Sequence, residues 1–152
     1  MNSIDASALN GRPRPRARIL QWGEGNFLRA FVDWKIDRMN EAGGLDWGVV
    51  IVRPIAEGNP HWLNEQDGLY TVLSRGVADD GAKVSDARVV GSVLKEIGAH
   101  QHWDEVLRNA QEAIAHAEEQ VRAARRRFDE YAASHAAAAA DYEAAATAAG
   151  EY

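Results

Sequence analysis

Apolar residues change their spacing repeatedly along this chain, and the changes mark its elements. The run Ile19-Leu20-Gln21-Trp22 reads as a buried strand over residues 18–22 and stops at Gly23-Glu24-Gly25. From Phe27 the spacing becomes helical: Leu28, Phe31, Val32, Ile36 and Met39 share one face, with Asp33 and Asp37 opposite. A helix over residues 27–41 is predicted, ended by Gly43-Gly44. Residues 47–52 form an apolar β-branched run, a second strand closed by Pro54. Strand, helix and strand in so short a stretch make a βαβ unit with parallel pairing and a right-handed crossover. Residues 55–68, holding Gly58-Asn59-Pro60, read as loop; 69–74 as a third strand; Asp79-Asp80-Gly81 as a turn; and 87–94 as a fourth strand.

From Asp104 the spacing settles into 3–4 alternation to about Ala149. Leu107, Ile114, Val121, Phe128, His135 and Tyr142 repeat every seven residues, and between them stand Ala110, Ala117, Ala124, Tyr131, Ala138 and Ala145. This is the heptad of a coiled coil in a segment whose alanines favour helix. At 1.5 Å per residue such a helix spans roughly 64 Å, against a radius of gyration of about 13 Å for a 100-residue domain. The sequence therefore predicts a helix that projects, folds back or pairs with a second chain.

Charge and composition sharpen this division. Residues 1–103 hold 12 basic and 13 acidic side chains, and residues 104–152 hold 5 and 10, with no Pro and one Gly. Arginines 12, 14, 16 and 18 alternate with Pro13 and Pro15, which predicts an extended, solvated basic leader over residues 1–17. With no apolar h-region after them, they do not make a secretory signal. A net charge of −6 argues against a nucleic-acid partner. No apolar run reaches the ~20 residues of a membrane span. The absence of cysteine removes thiolate chemistry and disulfides and fits a cytoplasmic protein. The five histidines form no metal-ligand set.

The candidate chemistry lies at the glycine turn. Unpaired N–H groups and the positive end of the helix dipole attract phosphate, and Gly23 and Gly25 let backbone approach an anion where a Cβ would collide. A plain strand-to-helix turn has the same sequence. The third position of G-x-G-x-x-G is Leu28, so helix–strand packing must differ from the usual fingerprint. Asn26 is placed to cap the helix or to contact phosphate, Arg29 to neutralise phosphate or to remain solvated, and Phe27 and Phe31 to enter the core.

Three separated stretches carry a specific resemblance: Gly23-Glu24-Gly25-Asn26-Phe27-Leu28-Arg29-Ala30-Phe31, Val52-Arg53-Pro54, and Gln66-Asp67-Gly68-Leu69-Tyr70-Thr71. Together they resemble the N-terminal domain of the mannitol dehydrogenase family, the polyol-specific long-chain dehydrogenases. Ile19-Leu20-Gln21, Phe31-Val32-Asp33-Trp34 and Val84-Ser85-Asp86-Ala87-Arg88 are similar to its tagaturonate reductase (altronate oxidoreductase) branch. The resemblance runs from about Arg18 to Asn109. It implies an α/β fold: a partial Rossmann-like NAD-binding domain over residues 18–103, followed by the alanine-rich helix of 104–152. It further implies hydride transfer between NAD(H) and a sugar acid, tagaturonate or altronate. The cofactor residues it implies are Gly23, Gly25, Asn26, Phe27 and Arg29, with Glu57 as the ribose-binding acid after Arg53-Pro54. Arg53 in that place also suits a 2′-phosphate, so the resemblance leans to NAD over NADP without deciding it. After Leu107 the family continues into another strand, whereas this chain turns to alanine-rich helix, and no residue matches the family's catalytic lysine. The 152 residues alone are therefore expected to be inactive. The alternative is a non-catalytic interaction protein that self-associates through residues 104–149. A third reading, a rearranged reading frame, is opposed by the unbroken heptad and the lack of Pro.

Overall fold

The structure is a computed structural model and describes residues 4–56 and 62–150, the side chains of 137, 139, 142 and 146–150 excepted. The chain divides into two units, 1–113 and 114–152. In the first, β1 (Ala17–Trp22) leads through the glycine turn into a helix whose opening segment, Leu28–Asp33, is π-helical and which continues as α1 (Trp34–Gly43). Next come β2 (Gly48–Arg53), α2 (Trp62–Glu65), β3 (Tyr70–Val77), β4 (Lys83–Val90), β5 (Val93–Gly98) and α3 (Trp103–Gly150). β1, β2 and β5 form a parallel sheet in the order β1-β2-β5, while β3 and β4 form a separate antiparallel hairpin.

The uninterrupted Val49-Val50-Ile51-Val52 run explains why β2 is central. Alternate side chains leave opposite faces of a strand, and here both faces are covered, as parallel sheets require. Val49 and Ile51 pack with Ile36, Leu63, Tyr70, Val90 and Val93. Val50 and Val52 pack with Ile97 and Val106 on the other face. β1 has β2 on one side only; among the described residues no strand pairs with its other edge.

The βαβ unit is as expected, but the later strands differ. The stretches expected as strands at 69–74 and 87–94 do not extend the parallel sheet: β3 and β4 pair with each other, from Tyr70 opposite Val90 to Val77 opposite Lys83, around the Asp79-Asp80-Gly81 turn. The expected fourth strand breaks at Gly91-Ser92. The Gly91 N–H donates to Asp37 Oδ1 at 2.8 Å and Ser92 Oγ to the Asp33 carbonyl at 2.8 Å, so α1 pins the break. β5 begins immediately after it, disguised in the sequence by Lys95 and Glu96.

The helix after the glycine turn keeps Val32 and Ile36 of its predicted face against the core, but its buried face is shifted to take in two aspartates. Phe31 and Met39 are exposed, whereas Asp33 and Asp37 are buried beside Ile36. The π-helical segment is the cause. Its wider turn accommodates an extra residue, which rotates everything beyond it by about one residue, near 100°. The arginines expected in a solvated leader are also held. Arg12 Nη1 bonds Asp37 Oδ2 at 2.7 Å and its Nη2 bonds the Val89 carbonyl at 2.6 Å, Arg14 bonds the carbonyls of Gly91 and Val93, and Arg16 pairs with Asp46. Leu9 is buried beneath them, so residues 5–16 form a strap across the unit.

Candidate functional site

β1 delivers the chain to the carboxyl end of the parallel sheet, where open α/β sheets bind their ligands. The Gly23 N–H still donates to the Val52 carbonyl at 2.8 Å, and the backbone then leaves the sheet with Gly23 at φ +106°. Side chains rarely adopt that conformation, which accounts for glycine there. Leu28, in the place of the third fingerprint glycine, has its Cδ1 3.5 Å from where a Cβ on Gly23 would stand, an ordinary van der Waals contact. Gly25 has ordinary φ, and a Cβ built on it would meet no atom within 4 Å. The space beside Gly25 is therefore open, and the first N–H groups of the helix that follows have no partner within it.

Of the residues singled out from sequence, Gly23, Gly25, Asn26, Phe27 and Arg29 come together in this turn. Asn26 does not cap the helix; its Oδ1 accepts a hydrogen bond from Arg29 Nη2. Arg29 is half-buried, its guanidinium 5.1 Å above the centroid of the Trp62 ring. Its charge is therefore held at the turn rather than dispersed in solvent. Phe27 and Phe31 were expected in the core. Instead they stack on the surface, centroids 5.2 Å apart, with Lys35 Nζ 3.8 Å from the Phe31 centroid.

Arg53, at the carboxyl end of β2, is buried. Its Nε lies 3.0 Å from Glu24 Oε2 and 3.6 Å from Glu96 Oε1. Glu24, the acid between the two glycines, is thereby drawn towards β2, and its charge is offset before any anion arrives. Glu57 lies outside the described residues. The Gln66-Asp67-Gly68 motif is a turn before β3: the Gly68 N–H donates to the Leu63 carbonyl at 2.6 Å, and Gly68 has φ +75°.

Sequence reasoning missed the groups beneath the turn. Gln21 Nε2 donates to the Gly23 carbonyl at 3.2 Å and to Asp33 Oδ2 at 3.3 Å, and Tyr70 Oη donates to the Arg29 carbonyl at 2.8 Å. Asp33 is fully buried and its Oδ1 has no hydrogen-bond partner. Burial raises its carboxyl to about 6, against the opposing pull of the Gln21 and Tyr70 side chains and the Arg29 charge. Burial raises the Tyr70 hydroxyl as well, helped by the Asp33 charge. The available signal was Gln21, a polar residue inside the apolar run 19–22 of β1. A cleft of about 400 Å³ lies elsewhere, under the strap, lined by Arg12, Arg14, Asp37, Asn40, Glu41 and Asp46 among others. It contains none of the turn residues.

Comparisons agree with this geometry. The profile of the mannitol dehydrogenase Rossmann domain matches residues 17–127. An altronate oxidoreductase from Klebsiella pneumoniae subsp. pneumoniae is 55% identical over 106 residues, covering 67% of this chain and 22% of that protein. Another, from an Enterobacter sp., is 50% identical over 110 residues, covering 72% and 23%. Among solved structures, Pseudomonas fluorescens mannitol 2-dehydrogenase in a ternary complex with NAD and D-mannitol aligns with a TM-score of 0.53 at 26% identity, covering 68% of this chain and 23% of that one. The chain spans less than a quarter of the length of these relatives.

Proposed function

The chain belongs to the mannitol dehydrogenase family, and from that premise we propose that residues 18–103 are the NAD-binding portion of a cytoplasmic oxidoreductase acting on a sugar acid of the tagaturonate/altronate type. The single observation that carries the reading is the turn itself: Gly23 at φ +106° and an open Gly25, at the start of a helix and the carboxyl end of a parallel sheet. The residues fit a dinucleotide. The helix's first N–H groups and Gly25 would receive the pyrophosphate, with Arg29 and Asn26 beside it. Phe27, exposed at the turn, would border the nucleotide. Glu57 is proposed for the ribose hydroxyls. Arg53 supports NAD over NADP, because its guanidinium is buried on Glu24 and Glu96 and not turned outward to a 2′-phosphate. The cofactor, when bound, supplies or accepts the hydride; this chain's own residues bind and orient it.

These 152 residues alone are proposed to be catalytically silent. Reduction of a ketone needs a positioned acid to protonate the developing alkoxide, a contribution of about 10²–10⁴-fold. No residue here matches the family's proton donor. The substrate is proposed from the altronate oxidoreductase relatives.

The test is an NADH titration of the intact chain. Trp22, at the end of β1, is half exposed and in edge contact with Trp103 at 6.1 Å, so its fluorescence reports on the turn. Saturable quenching is expected, lost in Gly25→Val, whose Cβ would occupy the space left for phosphate. No saturation at millimolar NADH would end the binding reading, and NADH-dependent reduction of tagaturonate by pure protein would end the claim of silence.

A further inference from the structure

The second unit carries a seam that none of the chemistry above uses. Ile114, Val121 and Phe128 alternate along α3 with Ala117, Ala124 and Tyr131, and the four large members are 57–69% exposed. Ala117 leaves an apolar hollow between Ile114 and Val121, flanked by Glu118 and Arg122. A hollow framed by neighbouring seam residues is the hole that receives a knob from a facing helix.

We propose that a second copy of this chain covers the seam, running antiparallel, with Val121 of each helix against Ala124 of the other. Volume selects the direction. In a parallel pair every layer sets a residue against its own copy, so bulky layers of Ile114, Val121 and Phe128 alternate with layers of paired alanines. The bulky layers would hold the helices apart and leave the alanine layers empty, at the cost of lost packing. In the antiparallel pair Val121 meets Ala124, Phe128 meets Ala117 and Ile114 meets Tyr131, so two of the three kinds of layer join one large side chain to one methyl.

Charge selects the same direction and fixes the register. Glu118 and Arg125 occupy equivalent positions beside the seam, one heptad apart. In the proposed register Glu118 of each copy faces Arg125 of the other, twice by symmetry. Sliding one helix by a heptad in either direction brings Glu118 against Glu118 or Arg125 against Arg125. A parallel pair sets the same flank against Ala113, Gln120 and Arg127 and forms no opposite-charge pair with Glu118 or Arg125. Within one copy these side chains pair only at the surface, Glu118 with Arg122 at 3.6 Å and Arg125 with Asp129 at 3.1 Å. Such exposed pairs exchange partners at little cost.

The absence of cysteine makes the test clean. In the antiparallel pair residue 114 adjoins 131 of the other copy, and the two residues 114 lie about 25 Å apart. Ile114→Cys chains mixed with Tyr131→Cys chains are expected to form a disulfide heterodimer under oxidation, while Ile114→Cys alone gives none. Self-cross-linking of Ile114→Cys would mean a parallel pair and overturn the proposal, as would a strictly monomeric intact chain by sedimentation at high micromolar concentration. A second pair of variants leaves the apolar seam untouched. E118R turns two attractive contacts into two repulsive ones and is expected to weaken the dimer about ten-fold, and E118R/R125E to restore it. A dimer indifferent to E118R, or not rescued by the double exchange, would overturn the register. Circular dichroism of each variant distinguishes lost pairing from lost helix.

Discussion

The two long helices invert each other's sequence. α1 and its π-helical lead bury two aspartates and expose Phe31 and Met39; α3 keeps a regular apolar seam yet exposes Ile114, Val121, Phe128 and Tyr131. Periodicity describes which residues share a face, not which face meets a partner. In α1 the partner is fixed by the neighbouring elements. Gly91, Arg88 and Arg12 converge on Asp37, and Ser92 on the Asp33 carbonyl, while the π-segment supplies the rotation that turns those aspartates inward. In α3 Ile114, Val121, Phe128 and Tyr131 stand exposed, so their regularity points outward. Substitutions should therefore act in opposite senses in the two helices: charged positions of α1 should behave as core, apolar positions of α3 as surface.

The largest expected effect is at Asp37. It accepts bonds from Arg12, Arg88 and the Gly91 N–H, and Asp37→Ala leaves Arg12 with carbonyl partners only and Arg88 with Glu41 as its remaining carboxylate. Removing one partner of a buried charge cluster costs about 3–5 kcal/mol; the lower end is expected, because Arg12 retains some contact with water. Urea denaturation measures it. A loss under about 1 kcal/mol would mean that Asp37 is surface in character and that the inversion of α1 is wrong.

Asp33 gives the pH signature of the same inversion. Its carboxyl rises from 3.8 to about 6 in the folded chain, chiefly through burial. The folded state thus binds the proton more tightly than the unfolded state. Stability contributed by this group is present below about pH 4, falls as pH rises towards 6, and is flat above. Two pH units correspond to about 3 kcal/mol. Asp33→Asn removes that penalty and can still accept from Gln21. It is expected to be more stable than the parent at pH 7 and equal to it near pH 4, the difference appearing across that window in denaturation midpoints. A difference independent of pH would show that Asp33 is not the titrating group.

The legibility of the sequence obeys the same physics. Val49–Val52 announced a fully covered parallel strand, and the glycines after Trp22 announced the turn, because both signals are local. β5 was hidden because Lys95 and Glu96 break the apolar run, and only tertiary partners explain them: Glu96 lies beside Arg53, its N–H donates to Asn64 Oδ1 at 2.8 Å, and Lys95 pairs with Glu105 at 2.6 Å. The shift that brings Asp33 and Asp37 inward beside Ile36 is invisible in residue spacing, because a π-turn leaves no mark there. At the turn, the glycines and Arg29 stand out in the sequence, whereas the buried Asp33 and Tyr70 beneath it are tied in by contacts distant in sequence. The strap of Arg12, Arg14 and Arg16 looked solvated because arginine usually is; here carbonyls at strand ends and the acids of α1 and its following loop hold it.

The two glycines that precede α1 should separate fold from ligand. Gly23→Ala places a Cβ at φ +106° and is expected to cost about 1–2 kcal/mol of stability, whether or not cofactor is present. Gly25→Ala meets no atom and has ordinary φ, so its effect on thermal unfolding should stay within about 0.5 kcal/mol. NADH affinity should respond in the opposite order, falling most at Gly25. Equal losses of stability at both positions would make the turn a structural device only.

The smallest effect belongs to Val121, and its smallness is informative. At 69% exposure the side chain has little apolar area to lose within its own chain. Val121→Ala also replaces a β-branched residue by the best helix former. In dilute solution the change in stability is therefore expected to lie within about 0.5 kcal/mol and to favour the helix slightly. A second copy on the seam changes the sign. The methyl groups lost from Val121 would then leave a gap against Ala124 of the other helix, and the cost would grow with protein concentration, as it must when folding is linked to association. Denaturation of both chains across a concentration series reads this directly. A loss above about 1 kcal/mol that does not depend on concentration would show Val121 packed against its own chain, and the contrast between the two helices would then fail at the most exposed of the four large seam residues Ile114, Val121, Phe128 and Tyr131.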